Sequence, residues 1–251
     1  MSNPKPLLYV ILGATGSGRR EVIADVIEAG LVVDATARAA VLVAEAEPAS
    51  EQDARLGTFG RWKRDGETID AEVPEGSTHV LFLADGRGNP VDQLESLRPW
   101  LAAAGLELAR VICIVNCRLA EANPPLLTWY DACIHFSDMV LLHQRDGVSN
   151  KWMSDFRARY ESKFYPCLFE LVKDGRVKNP ALLLEPQARR MSHYFDDEVD
   201  WIIDGDTANE EDIVEGDAEV TAAPEVDPYL ERRAGGRRAK EIPDIATFLN
   251  P

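Results

Sequence analysis

The 251-residue sequence contains no apolar run near the roughly 18 residues that a membrane-spanning helix requires. Its first apolar run, Leu7–Leu12, stops at Gly13 and is too short for the hydrophobic segment of a secretory signal. The expectation is a cytoplasmic protein with no membrane partner. None of the four cysteines, at 113, 117, 133 and 167, forms a C-x-x-C pair, which argues against a zinc ribbon and a thioredoxin-like redox motif. Cys113 and Cys117 share the apolar stretch Val111–Cys117 and read as buried structural thiols on one face of a strand. No Lys or Arg occurs between residues 196 and 227, where fourteen Asp and Glu accumulate. A self-repelling segment so poor in core-forming groups is expected to be a disordered, solvated acidic linker.

That linker accounts for most of the net charge of −16. Residues 1–195 come to −4, and residues 228–251, with five basic against three acidic groups, to +2. A nearly neutral body gives no footprint for nucleic acid. The chain therefore divides into residues 1–195, the linker 196–227 and a basic, partly apolar tail 228–251. The tail carries Tyr229, Leu230, Ile242, Ile245, Phe248 and Leu249. Such residues make sense only when covered, so the tail is expected to dock on a protein partner, not identified by the sequence, or to fold back on its own domain.

Within residues 1–195 buried strands alternate with amphipathic helices. Strand signals lie at Leu7–Leu12, Val41–Val43, Thr78–Leu83, Val111–Cys117, Met139–Leu142 and Cys167–Val172, with Leu31–Val33 a further candidate. Helices are expected over Arg19–Ala29, Val91–Ala104 with an interruption at Pro99, Trp129–Phe136, Lys151–Lys163 and Gln187–Phe195. Residues 48–76 read as an elaborated connection holding a hairpin at Arg64–Glu67, and a turn is expected at Lys173–Arg176. The alternation predicts an α/β fold, a doubly wound and mostly parallel sheet with right-handed crossovers. Ligands of such sheets bind at the C-terminal strand ends.

The segment Gly13-Ala14-Thr15-Gly16-Ser17-Gly18-Arg19-Arg20 sits between a buried strand and a helix. It has the glycine frame of G-x-x-x-x-G-K-S/T, a P-loop. Successive backbone N–H groups of such a loop form an anion nest, reinforced by the helix dipole. In the full motif a lysine neutralises the outer phosphates and a hydroxyl holds magnesium. Here Arg19 takes the lysine position, where its planar fork can still contact phosphate but is not equivalent to lysine. Arg20 takes the hydroxyl position and has no acceptor for a cation. A glycine-rich turn with no ligand is the plainer alternative.

Further segments resemble the CobW family of GTPases, grouped with the UreG and HypB metallochaperones. Arg38–Glu45 is similar to that family's strand ending in Asn-Glu. Val80–Pro90 resembles its strand followed by Glu-x-x-Gly-x-x-x-Pro, keeping Gly86 and Pro90 and placing Leu83 where the acid would be. Val111–Asn116 resembles the strand ending in Val-Asp. Ser137–Asp146 looks like the family's Ala-Asp, apolar strand and Asn-Lys-x-Asp guanine-recognition motif; Asp146 is kept, while His143 and Gln144 replace the other two. Residues 46–78 hold no cysteine, so the family's Cys-x-Cys-Cys metal motif has no counterpart. The resemblance implies a P-loop nucleoside-triphosphatase fold over roughly residues 7–195, with GTP or ATP as its ligand class and no metal site. It implies phosphate contacts at Gly13–Arg20 and base contacts at His143, Gln144 and Asp146. Glu45, Asp85 and Gly86 stand as switch or supporting residues. The altered positions point to weak or lost nucleotide binding and a regulatory or scaffolding role. The competing reading is an active GTPase or P-loop kinase that uses Arg19 in place of lysine.

Overall fold

A computed structural model describes residues 4–32, 34–196 and 226–249. The chain forms two units, Met1–Ser192 with Glu241–Pro251, and His193–Lys240. Apart from Asp196, Val226 and Asp227, the acidic segment 196–227 lies outside the described residues.

The first unit is built on a nine-stranded sheet: β1 (Leu7–Leu12), β2 (Ala39–Ala44), β3 (Thr58–Asp65), β4 (Thr68–Asp70), β5 (His79–Leu83), β6 (Glu107–Asn116), β7 (Met139–His143), β8 (Leu168–Lys173) and β9 (Arg176–Val177). The strand order is β4-β3-β2-β5-β1-β6-β7-β8-β9. From β3 to β8 every neighbour is parallel, and an antiparallel hairpin closes each edge. This is a mostly parallel α/β sheet, as the alternation of strands and helices predicts, with β1 at its centre. Continuous apolar runs in β1, β2, β5, β6 and β7 follow from burial on both faces. Tyr9, Ile11, Val41, Val43, Leu81, Ile112 and Leu141 point to the face covered by Val22, Ile23 and Val26 of α1 (Arg19–Gly30). Alternate residues such as Val10, Phe82 and Cys113 are equally buried on the opposite face.

The remaining helices are α2 (Pro90–Ala103), α3 (Cys117–Ala122), α4 (Leu127–His135), α5 (Asn150–Glu161) and α6 (Pro180–Leu184). Helix α2 runs through Pro99 without the expected interruption. Its proline is exposed, while Val91, Leu94, Leu97 and Trp100 form one buried stripe that holds both sides of the missing N–H. Cys117 is not on a strand. The Asn116 side chain accepts the Leu119 N–H at 3.0 Å, capping a helix that starts at Cys117. All four thiols are buried and unbridged. The candidate strand at 31–33 is absent over Leu31 and Val32, where the Leu31 N–H donates to the Ile27 carbonyl at 3.3 Å and closes α1; Val33 lies outside the described residues. No helix forms at Gln187–Phe195. There the N–H groups of Arg189 and Ser192 go to the Asp138 carboxylate at 2.6 Å and the His135 carbonyl at 3.1 Å instead of to a preceding turn.

The expected hairpin at Arg64–Glu67 forms, but its first strand, β3, is also a full parallel partner of β2. The tail's apolar residues divide between the units. Ile245, in a 3-10 turn at Ile245–Phe248, is buried in the first. Tyr229 is buried in the second, under the Lys240 ammonium 3.8 Å from its ring centre. Among the described residues no helix is long and apolar enough to cross a membrane.

His79, stacked on Tyr9 at 5.9 Å, has its pKa pushed below the usual 6.5 by burial. The fold holds this imidazole neutral, so the unfolded chain binds the extra proton first. Stability should therefore fall as pH drops below about 6.5. Denaturant titrations from pH 7 downward should show that slope reduced in His79→Gln.

Candidate functional site

The loops leaving β1, β2, β5, β6 and β7 at their C-terminal ends gather around the glycine frame at the middle of the sheet. Gly13, Gly16 and Gly18 have φ of 140°, 80° and 78°, and α1 starts directly after Gly18. The loop is held by its neighbours. The Thr15 N–H donates to the Gly86 carbonyl at 3.0 Å and the Ser17 N–H to the Ala14 carbonyl at 3.1 Å. Asn116 Nδ2 donates to the Gly16 carbonyl at 3.3 Å. His143 Nδ1 lies 2.8 Å from the Ser17 carbonyl, an acceptor, so this nitrogen carries the proton.

The close approach of His143 explains why residue 18 is glycine. A side chain there would begin 2.5 Å from His143 Nδ1, in a left-handed conformation. Gly18→Ala should destabilise the first unit by about 1–3 kcal/mol. Chemical denaturation checks this, and an unchanged midpoint would show that the imidazole moves aside freely.

The two arginines turn inward. Arg19 is only 4% exposed and donates to the Ala84 carbonyl and to Glu47 Oε1. Glu47, 8% exposed, also accepts the Gly86 N–H at 3.1 Å. Arg20 reaches the Pro48 carbonyl at 2.8 Å, Glu47 Oε2 at 3.4 Å and Asp53 Oδ1 at 3.1 Å. Arg61 on β3 donates to the Glu47 carbonyl at 2.8 Å and stands 3.8 Å from Asp53. Three guanidinium groups and two carboxylates form one network across the loops after β1 and β2. Buried charges must be paired, and these are paired with one another.

Glu47, Asp53 and Arg61 were not flagged from the sequence, which singled out Glu45. One signal was available: two consecutive arginines entering a buried helix start require acids nearby, and the segment after β2 supplies them. Glu45 is exposed. With the half-buried Asp85 it lines a cavity of about 350 Å³ with Trp62, Lys63, Arg64 and Gln93, and no residue of Gly13–Arg20 lines it. Gly86 is the member of that trio that meets the glycine loop; a side chain there would begin 2.5 Å from Arg19 Nη2.

The expected base-contacting residues separate. His143 is buried against the loop, whereas Asp146 is exposed on the turn beyond it. Gln144 takes φ of 51° and its carbonyl accepts the Arg118 N–H at 3.1 Å. Arg145 turns away to the Val172 carbonyl at 3.1 and 3.2 Å.

No protein-family model matches this chain, and no curated protein matches it in sequence. Solved structures similar to it include the Zn(II)-bound YjiA GTPase from E. coli, at 12% identity over 74% of this chain and 67% of that one, TM-score 0.42. A Zn(II)-bound triple mutant of YjiA gives 14% identity over the same shares and a TM-score of 0.45. A LAO/AO transport system kinase gives 13% identity over 73% of this chain and 56% of that one, TM-score 0.42.

Proposed function

We propose that this chain is a P-loop protein whose phosphate-binding groups are engaged by its own side chains and backbone carbonyls, so that it binds nucleotide weakly or not at all and serves a regulatory or scaffolding role. The observation that carries the reading is the commitment of Arg19 to Glu47 and the Ala84 carbonyl. A P-loop works by offering unsatisfied N–H groups and a positive side chain to an anion. Here the Thr15 and Ser17 amides already have carbonyl partners. Arg20, in the position that would hold magnesium, offers donors alone, and those face Glu47, Asp53 and Pro48. The residues present do not fit a magnesium-bound nucleotide.

Equilibrium titration with fluorescent GTP and ATP, with and without magnesium, tests the reading. Weak or unsaturable binding is expected, together with hydrolysis indistinguishable from buffer. Steady turnover in the ordinary range of about 1–100 per second would overturn it in favour of an enzyme using Arg19.

A further inference from the structure

We propose that the Glu47 carboxylate is a built-in ligand of the glycine loop, standing in for the outermost phosphate of a nucleotide, and that it masks a latent site for a phosphate group. This deepens the reading of lost nucleotide binding and rests on it.

Three features of the geometry converge on Glu47. Its Oε1 accepts from two donors on different loops: the Arg19 guanidinium after β1 and the Gly86 N–H, at 3.1 Å, after β5. Arg19 occupies the position from which a P-loop lysine reaches the outer phosphates. A single anionic oxygen shared between that side chain and a backbone N–H of the facing loop is what a terminal phosphate oxygen would supply. Second, the carboxylate is nine-tenths buried, and its other oxygen takes Arg20 at 3.4 Å, so both oxygens are engaged by cations of the glycine loop. Third, the loop retains a polar interior that Glu47 does not satisfy. The Ser17 hydroxyl is fully buried and has no hydrogen-bond partner among the described residues. It lies 3.1 Å from the point where a Gly13 side chain would begin.

Physically, Glu47 competes with any external anion from a tether. A group held on a short connection has an effective concentration of millimolar order or more, so weak phosphate ligands lose to it. The same contact ties the loop at Gly86 to the glycine loop. Nucleotide switches order such loops through the terminal phosphate and lose that order on hydrolysis. A carboxylate attached to the chain cannot be hydrolysed or released, so this arrangement is permanently the one with the anion present.

The test compares the full chain with Glu47→Gln and Glu47→Ala, using inorganic phosphate and fluorescent GTP and ATP as probes. Binding by the unsubstituted chain should be absent or weak. Glu47→Ala should bind at least one probe about tenfold tighter or better, and Glu47→Gln should gain less because its amide still fills the space. Hydrogen exchange across residues 84–89 should speed up in both variants and slow again with saturating phosphate. Folded variants that gain no binding and keep their protection would overturn the built-in ligand while leaving the reading of lost nucleotide binding intact. Tight nucleotide binding by the unsubstituted chain would overturn both. Should Glu47→Ala fail to fold, the Glu47→Gln exchange and binding results decide the matter alone.

Discussion

Asp138→Ala is expected to lower the unfolding free energy by about 3–5 kcal/mol, a fall in melting temperature on the order of 10 °C. Asp138 is fully buried where β7 begins beside β6. Its carboxylate accepts the Val111 N–H at 2.6 Å, the Arg189 N–H at 2.6 Å and Arg190 Nη1 at 3.2 Å. Alanine removes all three acceptor contacts, including the carboxylate that faces the Arg190 guanidinium, whose side chain is 5% exposed. Removing one member of such a pair costs far more than the pair contributes, because the other charge stays in the interior. Asp138→Asn keeps the shape and one acceptor and should lose less. Calorimetry on both variants checks the order; equal melting temperatures for the alanine variant and the unsubstituted chain would show that water reaches the pocket and replaces the carboxylate.

Trp62→Ala should cost a comparable amount, about 3–5 kcal/mol, for a different reason. Trp62 is 2% exposed, stacks on Phe82 at 4.5 Å, and donates its indole N–H to the Leu83 carbonyl at 2.8 Å. Its loss leaves a cavity beside Phe82, on the sheet face that spans β3, β2 and β5, that backbone in a parallel sheet cannot collapse to fill. Trp62→Phe should recover most of the packing and lose the hydrogen bond, about 1–3 kcal/mol. Urea denaturation separates these terms, and a small effect of Trp62→Ala would show that β3 is peripheral to the cooperative unit.

That strand also marks where sequence reading stopped. β1, β2, β5, β6 and β7 were legible because strands near the middle of the sheet are apolar on both sides, β8 because Leu168, Phe169, Leu171 and Val172 make a short apolar run, and α1 because Val22, Ile23 and Val26 recur at helical spacing. The glycine frame was legible as local chemistry. β3 was not, since Thr58–Asp65 presents its polar residues outward and buries Trp62 alone. The helix placed at Gln187–Phe195 failed because Arg189 finds Asp138, 51 residues away. The same limit hid Glu47: its partner Arg19 lies 28 residues earlier, and nothing local separates Glu47 from the exposed Glu45. Spacing shows which element a residue sits on. Which carboxylate turns inward is decided by what the fold brings opposite it.

The hairpins that close the sheet constrain how this molecule can meet copies of itself. A parallel sheet ending on a long unpaired strand would offer a row of open N–H and C=O groups to any passing chain. Here the outermost strands, Thr68–Asp70 and Arg176–Val177, have three and two residues, and both carry charged side chains. Neither gives a second strand enough length to zip onto. Growth into cross-β ribbons from the native state is thereby disfavoured at both margins of this sheet, and among the described residues its edges offer strand exchange little template to start from.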